Sequence, residues 1–333
     1  MMPNISISQA KTMFLESIKL PRSANTLQTY RKALETFSNM LADHQIDSFE
    51  FPVAELTEDS VGRFVDFMKD LSPATESLYL QVIKSFFEFL DAENLSKVNL
   101  SWVRMFIRQR ARRVRRETAQ YPEDDVKYML DVLSNLQNIS TLAAVNGGKI
   151  LELRDMRDRA LIIVLADTGL RVEEVCKLRR GDLEWETKRA TLKGRGKKQE
   201  FVRFSTRAIN AVRSYLSLRD PLDLETGQSL SSLPLFARHD KGTGKKIKPI
   251  TPTTIRNVVA ERVHEILGPE ATGTITPHTF LHYFVTTILR ETGNLKLAQV
   301  LARHTSIQTT QRYAHINDDE LDKGYYEIFE KNR

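Results

Sequence analysis

Residues 157–184 read RDRALIIVLADTGLRVEEVCKLRRGDLE. Ala160 to Ala166 is the longest unbroken apolar run in the chain, seven residues, against the roughly 20 that a membrane-spanning helix needs. The run predicts a helix over 155–168, and Thr168-Gly169 a turn into a second helix over 171–179. Arg171 then falls in the first turn of that second helix, with Glu174 three residues on along one face. The helix dipole favours anions at that end, so an arginine there is oddly placed for the helix itself. It suits either a bound phosphate or a surface Arg–Glu pair.

Outward from this stretch the second half of the chain reads as mostly helical. Further helices are predicted around 123–138, 206–218, 253–267, 278–291, 294–302 and 318–331, the first capped by Asp124 or Asp125. One β-rich insertion, Leu183 to Ser205, carries two extended arms around a basic, glycine-containing turn and reads as a hairpin. The first hundred residues read as a helical bundle. Leu27, Tyr30, Leu34, Phe37 and Leu41 recur at helical spacing behind Ser23 or Asn25, and Val61, Phe64, Val65 and Met68 follow Thr57. Tyr79, Val82, Ile83, Phe86 and Leu90 follow the Ser72-Pro73 cap. The spacing of these aromatics is that of a buried face rather than a base-stacking platform.

Composition fits an ordinary folded protein of two domains: 333 residues, 41% hydrophobic and 28% charged. The N-terminus lacks a basic region followed by an apolar block, and the single cysteine, Cys176, excludes an intramolecular disulfide framework. A reducing, cytoplasmic setting is expected. The net charge of +6 is unevenly placed. Arg104, Arg108, Arg110, Arg112, Arg113, Arg115 and Arg116 lie within thirteen residues that contain no acid, and the rest of the chain is close to neutral. Such a segment is either a phosphate-contacting element or a solvated basic linker. It divides the chain into an N-terminal helical domain over 1–103, a linker over 104–117 and a second domain over 118–333.

Two further stretches, TPHTFLHYF and ARHTSIQTTQRYAH, hold polar residues a fold does not need. Pro277 precedes a helix with His278 and His282 on one face. A zinc site is disfavoured, since the glutamate of an HEXXH motif is absent and Cys176 lies about a hundred residues away. In the other stretch, His304 precedes Thr309, Thr310 and Tyr313, whose phenol follows a polar segment and could act as a nucleophile.

With these residues in place the chain resembles the tyrosine site-specific recombinases, which include phage integrases and Xer-type recombinases. SANTLQTYRKALETF is similar to the family's helical core-binding domain. RDRALIIVLADTGLRVEEVCKLRRGDLE is similar to its first catalytic box and TPHTFLHYFVTTILRETGNLKLAQVLARHTSIQTTQRYAH to its second. The fold implied is mainly α: a SAM-like helical core-binding domain, then a mostly helical catalytic domain with a small antiparallel sheet, together clamping duplex DNA. By position Arg171 matches the first catalytic arginine, Glu174 the acidic residue after it, His278 the first histidine, His304 the second and Tyr313 the nucleophile. The implied reaction is attack of Tyr313 on a DNA phosphodiester, leaving a 3′-phosphotyrosyl link that a 5′-hydroxyl can reverse. It needs neither metal nor other cofactor, because arginine and histidine fill the electrostatic role.

Two positions depart from the family's pattern. Its second box reads H-x-x-R, and here the fourth position is Leu281, followed by His282 as a supporting histidine. Losing a donor aimed at transition-state charge costs about a hundred- to a thousandfold in rate, so the enzyme is attenuated or trapped. No neighbour obviously substitutes, Arg290 being nine residues further along the helix. In the hairpin, the lysine that protonates the leaving oxygen falls on Arg195, with Lys193 and Lys197 on the same face. Either lysine could serve as the acid, with Lys193 favoured and Arg195, Lys197 and Lys198 among the DNA contacts; the alternative is phosphate contact by Lys193, Arg195 and Lys197 together.

After Tyr313, a stripe of Leu321, Tyr325, Ile328 and Phe329 predicts a terminal helix. It packs either on its own chain or, as the resemblance implies, on a neighbour in a homotetramer on two DNA sites. The outcome expected is DNA integration or recombination, with a mobile element among the settings. Two alternatives are a catalytically weakened DNA-binding or architectural protein of the same fold and a type IB topoisomerase-like nicking and resealing enzyme.

Overall fold

A computed structural model describes residues 5–20, 24–112, 122–135, 148–193, 199–239 and 247–313. The backbone divides into two compact units, Met1–Ala119 and Gln120–Arg333.

The first unit is five helices: α1 (Ile7–Ser17), α2 (Ala24–Asp43), α3 (Asp59–Phe67), α4 (Pro73–Ala92) and α5 (Leu100–Arg110). Local chemistry starts them. Ser6 and Gln9 form a reciprocal capping box at α1, and Ser72 caps α4 ahead of Pro73. The expected aromatic face is indeed core, since Phe37, Phe64, Phe86 and Phe87 are fully buried. Phe37 meets Phe64 edge-on at 5.2 Å, and each buried ring contributes about 1.5–3 kcal/mol.

The arginine-rich segment does not begin as a linker. Its first half lies in α5, which Asn99 caps. Val103 of α5 is buried, and Phe106 and Ile107 pack on the same core, an i, i+3, i+4 apolar stripe threaded between the arginines. Three of the four described arginines of the segment are already engaged. Arg104 bonds Glu88 at 3.2 Å, and Arg110 lies 4.0 Å from Asp66 with its guanidinium over the Phe106 ring. Arg112 holds the buried carboxylate of Glu76 through Nε at 2.5 Å and through its own N–H at 2.8 Å. Arg113, Arg115 and Arg116 lie outside the described residues.

The second unit contains α6 (Glu123–Asn135), α7 (Gly148–Thr168), α8 (Val172–Lys177), α9 (Thr206–Leu224), α10 (Pro252–Leu267), α11 (Pro277–Thr292), α12 (Leu295–Leu301) and α13 (Ile307–Gln311). Its three-stranded antiparallel sheet, in order β1–β2–β3, comprises Leu183–Glu184, Arg189–Lys193 and Gln199–Arg203. Ala190 pairs with Val202 and Lys193 with Gln199, the expected hairpin. Helix α7 is the axis. Every residue from Ala160 to Ala166 is buried, as a helix apolar on all faces must be, and α6, α9, α10 and α11 pack around it. No helix of the described residues is long and apolar enough to cross a membrane.

Boundaries shift where tertiary contacts intervene. Helix α6 starts at Glu123, directly after Pro122, two residues earlier than a cap at Asp124 would set it and three earlier than one at Asp125. Both acids therefore sit in its first turn, where the dipole favours them. Helix α9 runs past residue 218 because the fully buried Arg219 bonds Asp223, one turn on, and the carbonyls of Pro234 and Leu235. The predicted helix over 318–331 lies outside the described residues.

Candidate active site

The end of α7 is pinned before the chain turns toward the site. Arg207 of α9 bonds Asp167 through Nε at 2.7 Å and Nη2 at 2.5 Å, and Ser205 also bonds Asp167. The Thr168 hydroxyl donates to the Val164 carbonyl and accepts from the N–H of Leu170. Gly169 then takes φ +59° with no room for a side chain, since a Cβ there would stand 2.5 Å from Cδ1 of Phe284 on α11.

This turn delivers Arg171. It is the residue before α8, in extended backbone at φ −77° and ψ 150°, rather than inside the first helical turn. Glu174 reaches back to its N–H at 2.9 Å and to its Nη1 at 3.1 Å, and Arg171 Nη2 donates to the carbonyl of Arg303 at 3.3 Å. The side chain of Arg171 stays 41% exposed, so part of its guanidinium faces solvent.

Helix α11 and the α12–α13 connection form the other walls. Pro277 is the first residue of α11 and His278 the second, exposed. One turn on, the His282 ring lies 4.7 Å from that of Tyr313, edge to face, and its Nδ1 is 3.2 Å from the Thr286 hydroxyl. His304 is buried and stacks on Tyr313 at 6.0 Å. Thr310 of α13 holds His304 Nδ1 at 2.9 Å, which leaves Nε2 as the nitrogen available to a ligand. Burial first, and then the charges of Arg171, Arg303 and His278, push the His304 pKa below its ordinary 6.5. Burial pushes the Tyr313 phenol above its ordinary 10, opposed by Arg312 and Arg171. At neutral pH the site therefore presents a neutral imidazole and a protonated phenol.

Leu281 is 5% exposed and packs with Val285, Ala298 and Ala302 beneath Phe284 and Tyr313. It is part of an apolar floor. Arg290, the nearest arginine along α11, is occupied elsewhere, gripping Glu123 of α6 through both nitrogens. Lys193 ends β2, while Arg195, Lys197 and Lys198 lie outside the described residues. Cys176 is half-buried, and burial pushes its thiol up to about 11, unsuited to a nucleophile. Among the described residues no three His, Cys, Asp or Glu side chains converge as metal ligands would.

The residue that sequence reasoning passed over is Arg303. It adjoins His304, and nothing local in the sequence distinguishes a charge that will be buried. The structure places Arg303 in the site, 2.9 Å from Glu174.

The arrangement joins arginine, histidine and tyrosine, and sequence comparison identifies the lineage. The profile of the phage integrase family matches residues 133–320, and that of the phage integrase N-terminal SAM-like domain matches residues 12–94. The chain belongs to the phage integrase family. This integrase is 27% identical over 326 residues to tyrosine recombinase XerC of Thermodesulfovibrio yellowstonii, covering 96% of this chain and 95% of that one. It is 26% identical over 315 residues to XerC of Bacillus subtilis, covering 94% and 93%. Among solved structures, XerH recombinase bound to palindromic difH substrate matches with a TM-score of 0.66 at 18% identity, over 96% of this chain and 84% of that one. The Tn1549 transposon integrase with transposon right-end DNA matches at 0.65 and 17%, over 98% and 99%. The two-domain, mainly helical integrase fold is thus shared with both.

Proposed function

We propose that this integrase exchanges DNA strands at specific sites through a 3′-phosphotyrosyl intermediate. The observation that carries the reading is Tyr313, half-buried between the rings of His282 and His304, with the exposed side of Arg171 in the same unit. A phosphodiester is an anion whose charge grows on its non-bridging oxygens as a nucleophile adds, so donors fixed beforehand lower the barrier. Arg171 would bond one such oxygen and His304, through Nε2, another. Removal of the phenol proton falls to the histidines of α11: His278 by the family resemblance, with His282 packed on the ring. Lys193 is assigned to protonate the leaving 5′-oxygen. The phosphotyrosyl bond conserves the energy of the broken one, so a 5′-hydroxyl from a partner strand restores the backbone without ATP.

The partner proposed is duplex DNA, a reading supported by neighbours solved with transposon right-end DNA and with a palindromic difH substrate, and the working assembly proposed is a homotetramer on two sites. A second reading is favoured by one observation, the burial of Leu281 in an apolar cluster: a protein that keeps DNA contact and cuts slowly. A duplex nicked near its cognate cleavage position separates the two. A covalent adduct that survives denaturation and disappears in Tyr313→Phe is the expected result. DNA binding with no adduct at long incubation overturns the cutting assignment in favour of the second reading.

A further inference from the structure

Arg303 has no part in the assignments above, and its environment is unusual for a charged side chain. It is a non-glycine residue at φ 54°, in the left-handed region that side chains disfavour. Its side chain is only 6% exposed. Nη2 donates to the Gly169 carbonyl at 2.8 Å and to Glu174 Oε2 at 2.9 Å, and Nη1 to the Leu301 carbonyl at 3.1 Å. Its buried Nε has no hydrogen-bond partner among the described residues. Its own carbonyl accepts from Arg171 Nη2. One residue thus grips both sides of the Gly169–Arg171 turn and the carboxylate that orients Arg171.

Charge arithmetic shows what this does. Arg171 and Glu174 alone form a neutral pair, and a neutral pair is a poor anion site. The Glu174 carboxylate, 23% exposed, receives bonds from both guanidiniums. With Arg303 the trio carries one net positive charge, held where burial limits screening. We propose that Arg303 is a positioning residue that neutralises Glu174, so that the charge and the free donors of Arg171 remain available to a phosphate. The proposal rests on the reading of Arg171 as a phosphate ligand, and it names how this chain keeps a net positive charge at that ligand while position 281 adds none.

The test is an epistasis measurement on the full chain. Single-turnover formation of the phosphotyrosyl adduct on a nicked duplex is expected to fall roughly tenfold or more in Arg303→Met, a remote loss smaller than that of a direct donor. Arg303→Lys should retain much of the rate. Adding Glu174→Gln to Arg303→Met should recover several-fold, since the unneutralised carboxylate is then gone. A double variant no faster than Arg303→Met overturns the proposal and leaves Arg303 a packing residue.

A second readout does not need cleavage. The groups around His304 are Arg171, Arg303, His278 and Tyr313, with Thr310 on Nδ1. Binding of orthovanadate, followed by the NMR signals of His304, should weaken roughly five- to tenfold in Arg303→Met. The same variant should raise the titration midpoint of His304 toward 6.5, and Glu174→Gln should restore the vanadate affinity. Unchanged affinity and midpoint overturn the proposal even if the wild-type chain forms no adduct, whereas a missing adduct with these shifts present overturns only the cutting assignment. Should Arg303→Met fail to fold, Arg303→Gln, which keeps donors for the carbonyls without the charge, carries both measurements.

Discussion

Two places where this chain gathers arginines behave oppositely. In α5 and just beyond it, Arg104, Arg110 and Arg112 meet Glu88, Asp66 and Glu76, an acid for each, and Arg112 is tied to a carboxylate that is 1% exposed. In the site, two guanidiniums share the one carboxylate of Glu174. Among the described residues, three of the four arginines in the segment of greater charge density each meet an acid, whereas the two of the site, 132 residues apart in sequence, share one. A count of basic residues along a chain therefore says where arginines are, and the acids folded against them decide what those arginines can still bind.

Breaking the site should have the largest effect. Arg171→Gln removes the guanidinium that faces solvent, and adduct formation on a nicked duplex should fall by about a hundred- to a thousandfold. Loss of that size from Arg112→Gln instead, with Arg171→Gln mild, would invert the comparison. Next comes the turn that presents Arg171. Gly169→Ala forces a Cβ against Phe284 at a φ that alanine disfavours, so urea denaturation should show a loss of about 1–3 kcal/mol along with slower cleavage.

In α5 the expected losses concern stability rather than chemistry. Glu76→Gln leaves Arg112 without its charge partner and should cost about 1–3 kcal/mol, below the figure for a fully buried pair because Arg112 is 41% exposed. The salt dependence of DNA binding sharpens the same contrast. Arg108, beside Gln109 at an open cleft, should lower the slope by about 0.9 when changed to Gln if it meets a phosphate, and Arg112→Gln should lower it less.

The smallest effect belongs to Arg290, another arginine already engaged. With Lys127 it holds the Glu123 carboxyl at about 2, well below its ordinary 4.5. A carboxylate with a depressed folded pKa stabilises the fold above its unfolded value, and that stability is lost as pH falls toward the folded one. Unfolding midpoints of the wild type and Glu123→Gln should therefore differ above pH 4.5 and converge on acidification toward about 2.

Elements with local signals were legible. Ser72-Pro73 and Pro277 announced their helices, and the basic turn after Lys193 announced the hairpin, because capping and turn chemistry act within a few residues. Helix α5 was not, since arginines outnumber the Val103, Phe106 and Ile107 stripe that buries it. The site was legible as types in order: an arginine with its glutamate, two histidines on a helix face, and a histidine and a tyrosine beyond.

By itself, then, the amino-acid sequence determined the helical class, the hairpin, the family and the residues from which the site is drawn, all of them carried by short-range pattern and motif order. Tertiary structure alone decided that Leu281 joins an apolar floor with Val285, Ala298 and Ala302, that Arg290 serves α6 and that Arg303 is buried against Glu174. Those outcomes depend on which distant groups meet in a low-dielectric interior, and on a left-handed backbone at residue 303 that no local preference of arginine would select.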